Sequence, residues 1–403
     1  MTPDRPKVAG ADLDAQTDDL YRARLEHVRS HLARAAADAL LICDPNDIFY
    51  VTGAMNMQIF CARTPARYLL VVDGGPTILF EYRGCEHLAE GLSTIDEIRL
   101  GVGLDIVSSG GDVAAASKEL AGEIGAELRH YGARRLAVDR FPFSATDELR
   151  AADLTLVSAD TILAPARAIK LPIEIPYLRE AMRRVEVAVE ALEEASEPGM
   201  TENEAWAHFH FELMAKDGQH TVTRLFQSGP NTYPYFQEAG QRKLGNGELL
   251  ALDTDANGYE NYCVDFSRTF LCGDAAATPE QRLLYGRAKE QLEWNTSILG
   301  PGIEFAELAR RAWTVPEEHQ ASRYYCVGHG LGMSGEWPNI PHYEPGSPYP
   351  LNGCIEAGMI ICLESYVGSS ESGQGVKLED QFLILADGVE RMSTYPFDER
   401  LSS

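Results

Sequence analysis

The sequence predicts two domains, an α/β domain followed by an α+β domain. The chain has 403 residues, enough for two or three domains of ordinary size. Helical and strand patterns alternate in its first part, whereas long helices alternate with hairpins in its second part. We expect a polar arm over residues 1–20, the α/β domain over 21–165 and the α+β domain over 166–403.

The first domain combines two helices with short apolar strands. The helices are predicted over LYRARLEHVRSHLARAAA and DVAAASKELAGEIGAELRHYG. Short apolar runs bounded by turn residues are typical of buried strands. Such runs occur in DALLICD, YLLVVDG, PTILFEY and RLAVD. This mixture of helices and strands indicates an α/β domain.

The second domain opens with a long amphipathic helix. Its apolar side chains recur on one helical face, at Leu178, Met182, Val185, Val189 and Leu192. The stretch EPGMTENEA then ends this helix and begins another. Thr201 and Glu204 have the spacing of a capping box, which predicts the start of that next helix.

The charge balance argues against several classes of partner. Acidic residues number 61 against 35 basic ones, so the formal net charge is −26. Nucleic acids and anionic membrane surfaces repel such a protein, and we expect neither as a partner. No apolar run approaches the roughly 20 residues of a membrane span, and the first residues have no apolar core of a signal peptide.

The eight cysteines are scattered without the spacing of a zinc-binding motif. Most of them have apolar neighbours, as in LLICDP and GMIICLES. Free cysteine in such surroundings behaves as a small buried hydrophobic residue. We therefore expect reduced core thiols in a cytoplasmic protein.

Three aspartates are concentrated in the stretch DTDANGYENYCVDFSRTF. Asp253 and Asp255 follow the apolar run 249–252, and their even spacing directs both side chains to one face of a strand. Asn257-Gly258 predicts a hairpin turn, and the returning strand carries Asp265. Carboxylates that converge this closely repel one another unless a proton or a cation lies between them. The stretch is therefore either a metal site or a solvated hairpin.

Three more candidate ligands lie in apolar segments further along the chain. His329 stands between two glycines, Glu364 follows the run 359–363, and Glu379 precedes another apolar run. A lone histidine is often an ordinary hydrogen-bonded residue, but buried carboxylates are costly unless they are paired or bound to metal. Three aspartates, one histidine and two glutamates can hold two divalent ions, with manganese, iron, cobalt or zinc preferred over softer metals.

The order of these residues and several short motifs resemble the pita-bread family of metalloenzymes. The motifs are RAIKLPIEI, VDFSRTF, GHGLG and KLEDQFLI. The family includes methionine aminopeptidase, aminopeptidase P, prolidase and creatinase. The resemblance covers the second domain and, more loosely, the first. It implies a creatinase-like N-terminal domain, a pita-bread catalytic domain with two divalent metal ions and, because relatives are often dimers, a homodimer.

Within this family the sequence is most similar to the metal-dependent dimethylsulfoniopropionate lyase branch. The ordinary family pattern has one aspartate where this chain has two, twelve and ten residues before Asp265. The similarity also includes SGPNTYPYFQE, HGLGMSGEWP and DPNDIFYVTGAMNMQIF. It implies a set of six metal ligands, namely Asp253, Asp255, Asp265, His329, Glu364 and Glu379.

Two features depart from the family pattern. Peptidases of the family use two further histidines near the substrate, and the matching positions here hold Tyr235 and Glu336. In the lyase branch an aspartate precedes the Glu-Trp-Pro motif and is the expected base, but this chain has Gly335 there. Because glycine cannot accept a proton, β-elimination by that route lacks its base.

The resemblance also assigns roles around the substrate. Tyr324 is expected to donate a hydrogen bond to a substrate carboxylate, with core packing as the alternative. Glu336 is the nearest candidate base, with a loop salt bridge as the alternative. Tyr235 and Trp337 are expected to contact the substrate.

These residues support three functional hypotheses. In the first, two metal ions bind a small zwitterionic carboxylate such as dimethylsulfoniopropionate, and Glu336 or another nearby base drives β-elimination. In the second, water activated between the ions hydrolyses a small amide or dipeptide, and Glu364 or Glu336 transfers the proton. In the third, the fold is a metal-free binding protein, which the complete ligand set disfavours.

Overall fold

The computed structural model describes residues 13–347 and 351–402. The chain forms two compact units, one up to Arg167 and one from Ala168 onward. The predicted arm over residues 1–20 lies partly outside the described residues, and its last part is wrong. The helix Thr17–Arg34 already begins within this arm, because acidic side chains in its first turn favour a helix N-terminus and Leu20 is buried.

The first unit is built on a six-stranded sheet. Its strands are β1 (Ala39–Ile42), β2 (Tyr68–Val72), β3 (Thr77–Glu81), β4 (Glu97–Leu100), β5 (Arg135–Val138) and β6 (Thr155–Ser158). They lie side by side in the order β4-β3-β2-β1-β5-β6. β1 pairs antiparallel with β2 and parallel with β5. The four predicted strands are the four central ones, whereas the edge strands β4 and β6 are partly exposed and carry little apolar pattern.

Helices accompany this sheet. They are α1 (Thr17–Arg34), α2 (Pro45–Thr52), α3 (Gln58–Cys61), α4 (Val113–His130), α5 (Phe143–Ala151) and α6 (Asp160–Ala168). Both predicted helices are confirmed as α1 and α4. Apolar side chains of α4 and α5 pack with those of the central strands in one core, so the predicted α/β domain is confirmed.

The second unit is dominated by antiparallel strands in two sheets. The small sheet contains β7 (His220–Thr221), β10 (Ala256–Asn257) and β11 (Cys263–Val264). The large sheet contains β8 (Phe226–Ser228), β9 (Leu249–Asp253), β12 (Ser267–Leu271), β13 (Cys326–Leu331), β14 (Gly335–Pro341), β15 (Ile360–Ser369), β16 (Gln374–Ile384) and β17 (Val389–Arg391). Its order is β14-β13-β15-β16-β12-β9-β8, and β17 pairs with β16.

Three long helices, as the sequence predicts, and three short ones accompany these sheets in the described residues. They are α7 (Ile175–Ala195), α8 (Glu202–Ala215), α9 (Pro279–Ile298), α10 (Phe305–Arg311), α11 (Glu317–Gln320) and α12 (Glu399–Ser402). The predicted apolar face of α7 is buried, and Thr201 and Glu204 form the predicted capping box of α8. Within the described ranges, no helix has the length and apolar character needed to cross a bilayer.

The aspartate-rich hairpin forms, but its turn differs from the predicted one. β9 pairs antiparallel with β12, and β10 pairs with β11. Asn257 belongs to β10 instead of the turn, because its buried side-chain amide donates to the backbone carbonyls of Asn261 and Met333. Residues 258–262 make the connection. The hairpin is therefore wider than an Asn-Gly turn would make it.

Candidate metal centre

The six candidate ligands come from neighbouring strands of the second unit. Asp253 ends β9, Asp265 lies just before β12, and His329, Glu364 and Glu379 lie on β13, β15 and β16. These five strands are consecutive in the large sheet, in the order β13-β15-β16-β12-β9. The sheet topology therefore brings together residues that are more than 100 positions apart in the chain.

Strand register aligns the carboxylates in one row. Glu364 lies opposite Glu379, and Ser267 lies opposite both Glu379 and Asp253. Directly opposed residues have Cβ atoms about 4.5–5.5 Å apart, so their side chains meet on one face of the sheet. The Ser267 hydroxyl is 2.8 Å from Asp253 Oδ1 and 2.9 Å from Glu379 Oε2.

His329 directs its Nε2 atom at this row. That nitrogen is 3.4 Å from Glu364 Oε1, 3.5 Å from Asp265 Oδ2 and 3.7 Å from Glu379 Oε1. The other ring nitrogen, Nδ1, lies 3.0 Å from the Gly330 carbonyl. A metal-binding histidine typically donates its second N–H to such a carbonyl, which fixes the tautomer.

The donor atoms fit divalent ions. Asp265 Oδ1 and Glu379 Oε1 are buried and accept no hydrogen bond from the described residues. Burial and the charge of Glu379 raise the pKa of Asp265 well above its usual value, and burial and Glu364 do the same for Glu379. Buried carboxylate oxygens without a hydrogen-bond partner are costly, and a bound cation offsets that cost.

Asp255 approaches the row from the loop after β9. Its backbone is left-handed, with a φ of 36°, a conformation that aspartate tolerates better than most residues. The Thr223 hydroxyl donates to its carboxylate at 2.7 Å. Burial and the neighbouring charge of Asp253 raise the pKa of Asp255 to about 6.

Lys377 is a central member of the site that the sequence reasoning missed. Its fully buried ammonium lies 2.6 Å from Glu364 Oε2, 2.7 Å from Glu379 Oε2 and 3.4 Å from Asp253 Oδ2. Although burial opposes it, this ammonium lowers the pKa of Asp253. The motif KLED could have indicated this position. Lys377 precedes Glu379 by two residues, so both side chains lie on the same face of β16.

Cys362 is a second residue that the sequence reasoning did not place here. Its sulfur belongs to a buried group of four potential ligand atoms, the others coming from Asp265, His329 and Glu379, which all lie within 4.8 Å of one another. Its apolar neighbours in GMIICLES predict a thiol of the apolar core instead. Alternation along β15 could have indicated otherwise, since Cys362 and Glu364 are two residues apart.

A cavity of about 530 Å³ opens over the carboxylates. One wall is aromatic, formed by Phe236, Tyr324 and Tyr325. The ring centroid of Tyr324 lies 5.3 Å from the ring centroid of Phe236 and 4.9 Å from that of Tyr325. The acidic lining consists of Glu238, Asp253, Asp255, Asp265 and Glu336.

Tyr235 and Trp337, the two predicted substrate contacts, are not among the described residues that line this cavity. The Tyr235 hydroxyl donates to Asp253 Oδ2 at 2.6 Å, so this side chain supports a candidate ligand. Trp337 packs edge-on against Phe305, with ring centroids 5.2 Å apart. The β13–β14 pairing shifts register between His329 and Gly330, so Trp337 lies at an irregularity of β14.

Gly335 and Glu336 lie at the edge of the cavity. Glu336 Oε1 accepts from the Met333 backbone N–H at 2.7 Å, and Oε2 is 3.2 Å from Lys170 Nζ. Both side chains of this ion pair are buried. Glu336 therefore makes the loop salt bridge expected as its structural alternative and also faces the cavity.

Comparison with known proteins extends over most of the chain. Residues 176–386 match the model of metallopeptidase family M24, and residues 24–169 match the creatinase/prolidase N-terminal domain. The dimethylsulfoniopropionate lyase DddP of Roseovarius nubinhibens is 34% identical over 95% of this chain and 88% of the relative. Its counterpart from Roseobacter denitrificans is 31% identical over 95% of this chain and 87% of the relative.

Solved structures agree on the fold. The prolidase from Pyrococcus horikoshii superimposes with a TM-score of 0.74 at 21% identity, covering 93% of this chain and 99% of the prolidase. The predicted pita-bread fold with a creatinase-like N-terminal domain is thus confirmed. The chain is a metal-dependent lyase or hydrolase that belongs to metallopeptidase family M24 and, within that family, is similar to the dimethylsulfoniopropionate lyases.

Proposed function

We propose that the protein binds two divalent metal ions and cleaves a small zwitterionic carboxylate, such as dimethylsulfoniopropionate, by β-elimination. The observation that carries this proposal is a row of buried carboxylates beneath a cavity with an aromatic wall. The similarity to two dimethylsulfoniopropionate lyases over nearly the whole chain supports the choice of substrate class.

The charge balance supports two ions. The ions would be held by Asp253, Asp255, Asp265, His329, Glu364 and Glu379. The five carboxylates of this set and the single ammonium of Lys377 leave four negative charges, the number that two divalent ions neutralise. The donors are oxygens with one imidazole, which suits manganese, iron, cobalt or zinc.

The cavity walls suit a substrate with an onium group and a carboxylate. Bound ions would supply Lewis-acid polarisation of the substrate carboxylate, which would acidify the adjacent carbon. The aromatic faces of Phe236, Tyr324 and Tyr325 attract a sulfonium or quaternary ammonium group through cation–π interactions. Burial and Glu364 raise the pKa of Tyr324 far above its usual value, so this hydroxyl keeps its proton and can donate it in a hydrogen bond.

Elimination then needs one base, for which we propose Glu336. Its carboxylate takes the proton from the carbon next to the substrate carboxylate. The carbon–sulfur bond breaks, the sulfide leaves with the bonding electron pair, and a carbon–carbon double bond forms. No oxidant or reductant is consumed. The ion pair with Lys170 holds Glu336 in one position for this step.

Hydrolysis of a small amide or dipeptide is the alternative, and Gly335 is the observation that favours it. The position of the lyase base is empty of any titrating group, whereas hydrolysis needs no base there. Water attack at an amide carbon would use Glu364 or Glu336 to transfer the proton. Similar folds occur in prolidases, but at 21% identity this likeness concerns the fold alone.

One experiment separates the two reactions. Protein reconstituted with manganese, iron, cobalt or zinc is incubated in oxygen-18 water with dimethylsulfoniopropionate, related betaines or Xaa-Pro dipeptides. Elimination gives an unsaturated acid without solvent oxygen, whereas hydrolysis adds one labelled oxygen atom. Formation of acrylate without label supports the lyase proposal. Turnover of dipeptides alone would refute it and support the hydrolase alternative.

A cytoplasmic homodimer remains part of the proposal. All eight cysteines are free, which suits a reducing compartment. Family resemblance is the basis for expecting a dimer. Light scattering of the purified protein measures the oligomeric state directly.

A further inference from the structure

We propose that Cys362 is a sulfur ligand of the ion held by Asp265, His329 and Glu379, and that it gives this half of the centre a preference for zinc, cobalt or iron over manganese. The inference rests on the proposed metal centre and adds a donor that the six-ligand set lacks. Four potential donor atoms, one from each of these residues, lie within 4.8 Å of one another, and all four residues are buried.

The position of Cys362 follows from strand register. On the β13–β15 pair Cys362 lies directly opposite His329, and on the β15–β16 pair it lies opposite Gln381. It is two residues from Glu364, so both side chains leave β15 on the same face. The thiol is thus fixed beside the imidazole by three hydrogen-bonded strands.

The surroundings of the thiol are polar, which distinguishes it from a core cysteine. Its sulfur lies 3.6 Å from the Asp265 backbone carbonyl, a weak hydrogen bond for an S–H donor. The nearby Asp265 Oδ1 and Glu379 Oε1 are buried and have no hydrogen-bond partner among the described residues. These unpaired oxygens are an independent indication that a cation belongs between them.

A thiolate changes which ion the site selects. On coordination the thiol proton is released to solvent, as happens with metal-bound cysteines, and the thiolate adds one negative charge to the four that the two ions neutralise. Thiolate with imidazole suits zinc, cobalt and iron, whereas manganese and magnesium prefer oxygen donors. We therefore expect the ion near His329 to be one of the former group, while the ion near Asp253 and Asp255 has oxygen ligands.

The test uses cobalt as a spectroscopic probe. Chelator-treated full-length protein is titrated with cobalt(II), and absorption is recorded in the near-ultraviolet, where thiolate-to-cobalt charge transfer appears. We expect this band in the native protein and its loss in Cys362→Ser. Zinc affinity should fall at least about tenfold in that variant, as for other disturbed metal sites, while manganese affinity should change less than about twofold.

Cys272→Ser is the matched control, because Cys272 is also a buried free cysteine of the second unit but follows the far end of β12. It should keep the charge-transfer band. X-ray absorption of the zinc-loaded native protein gives a measurement independent of any variant. It should show a sulfur neighbour at about 2.3 Å, the usual zinc–sulfur distance.

The outcomes separate this inference from the proposed function. Full cobalt uptake by the native protein with only oxygen and nitrogen neighbours would refute the sulfur ligand and leave the dinuclear centre intact. An unchanged spectrum in Cys362→Ser would refute it equally. If the native protein takes up no divalent ion, the proposed centre itself is wrong, and the sulfur ligand with it.

Discussion

Replacing Gly335 with aspartate tests whether a base at this position adds to the proposed base, Glu336. Gly335 is the first residue of β14, lies opposite Leu331 and faces the cavity. A Cβ added there meets no atom of the described residues within 4 Å, and the backbone is not left-handed. The substitution therefore needs no rearrangement, and we expect the free energy of unfolding to change by less than about 0.5 kcal/mol, as for other surface substitutions.

The expected gain in rate follows from general base catalysis. A positioned base typically contributes about 100- to 10,000-fold, which corresponds to roughly 2.7–5.4 kcal/mol of activation free energy at 1.36 kcal/mol per tenfold. Glu336 lies next to Gly335 but is held by Lys170, so an unpaired carboxylate one residue earlier has more freedom to reach the substrate. Because Glu336 already supplies part of this contribution as the proposed base, we expect Gly335→Asp to raise kcat for acrylate release from dimethylsulfoniopropionate by at least about tenfold but by less than the full range.

Acrylate release is measured by chromatography on metal-reconstituted protein, with Gly335→Asn as the control. Asparagine has nearly the same shape as aspartate but accepts no proton, so its rate should stay at the native level. A fast native rate that Gly335→Asp leaves unchanged would refute this expectation, because Glu336 would then already supply the full contribution of the base. Equal gains in the aspartate and asparagine variants would show that shape, and not proton transfer, is responsible.

Three further predictions concern the base and the ions. Glu336→Gln keeps the hydrogen bond from Met333 but removes the titrating group. Its kcat should therefore fall about 100- to 10,000-fold at native metal content, and a change within about twofold would show that Glu336 is not the base. His329→Ala should lose at least one of two equivalents of metal and all measurable turnover in metal analysis and rate assays, and full activity in metal-free protein would contradict the proposal. In the metal-free protein burial opposes protonation of His329, but Glu364 raises its pKa to about 9. Because metal binds only the neutral imidazole, affinity should rise between neutral pH and about 9 and then level off, with proton release detectable by calorimetry in buffers of different ionisation enthalpy.

Much of the fold could be predicted because its elements carry local patterns. The apolar face of α7 and the capping box at Thr201 are written in contiguous residues, and both were confirmed. The Asn257-Gly258 turn was wrong because a buried tertiary hydrogen bond to the Met333 carbonyl overrides the turn preference of the dipeptide. Local propensity is a weak preference, and such contacts override it.

In the candidate site, too, local sequence predicted some features and tertiary contacts decided the others. Five carboxylates and one histidine in apolar segments indicated a metal centre from the sequence alone, since such residues are costly to bury without a cation. Trp337 could not be placed from its motif, because its direction depends on an irregularity in the β13–β14 pairing and on packing against Phe305. Gly335 was identified from the sequence, but only the structure shows that its position is open to a side chain.

The sequence by itself determined the chemistry that is available: the acidic ligand set, the absent base and the family. Only the tertiary structure decided which further side chains lie among these ligands. Lys377 and Cys362 are ordinary residues of apolar strands until β13, β15 and β16 pair in register. The physical reason is that the charge and the ligand set of a buried site depend on side chains from strands that are distant in the chain. Cross-strand register fixes which of these side chains meet, and no local pattern encodes that register.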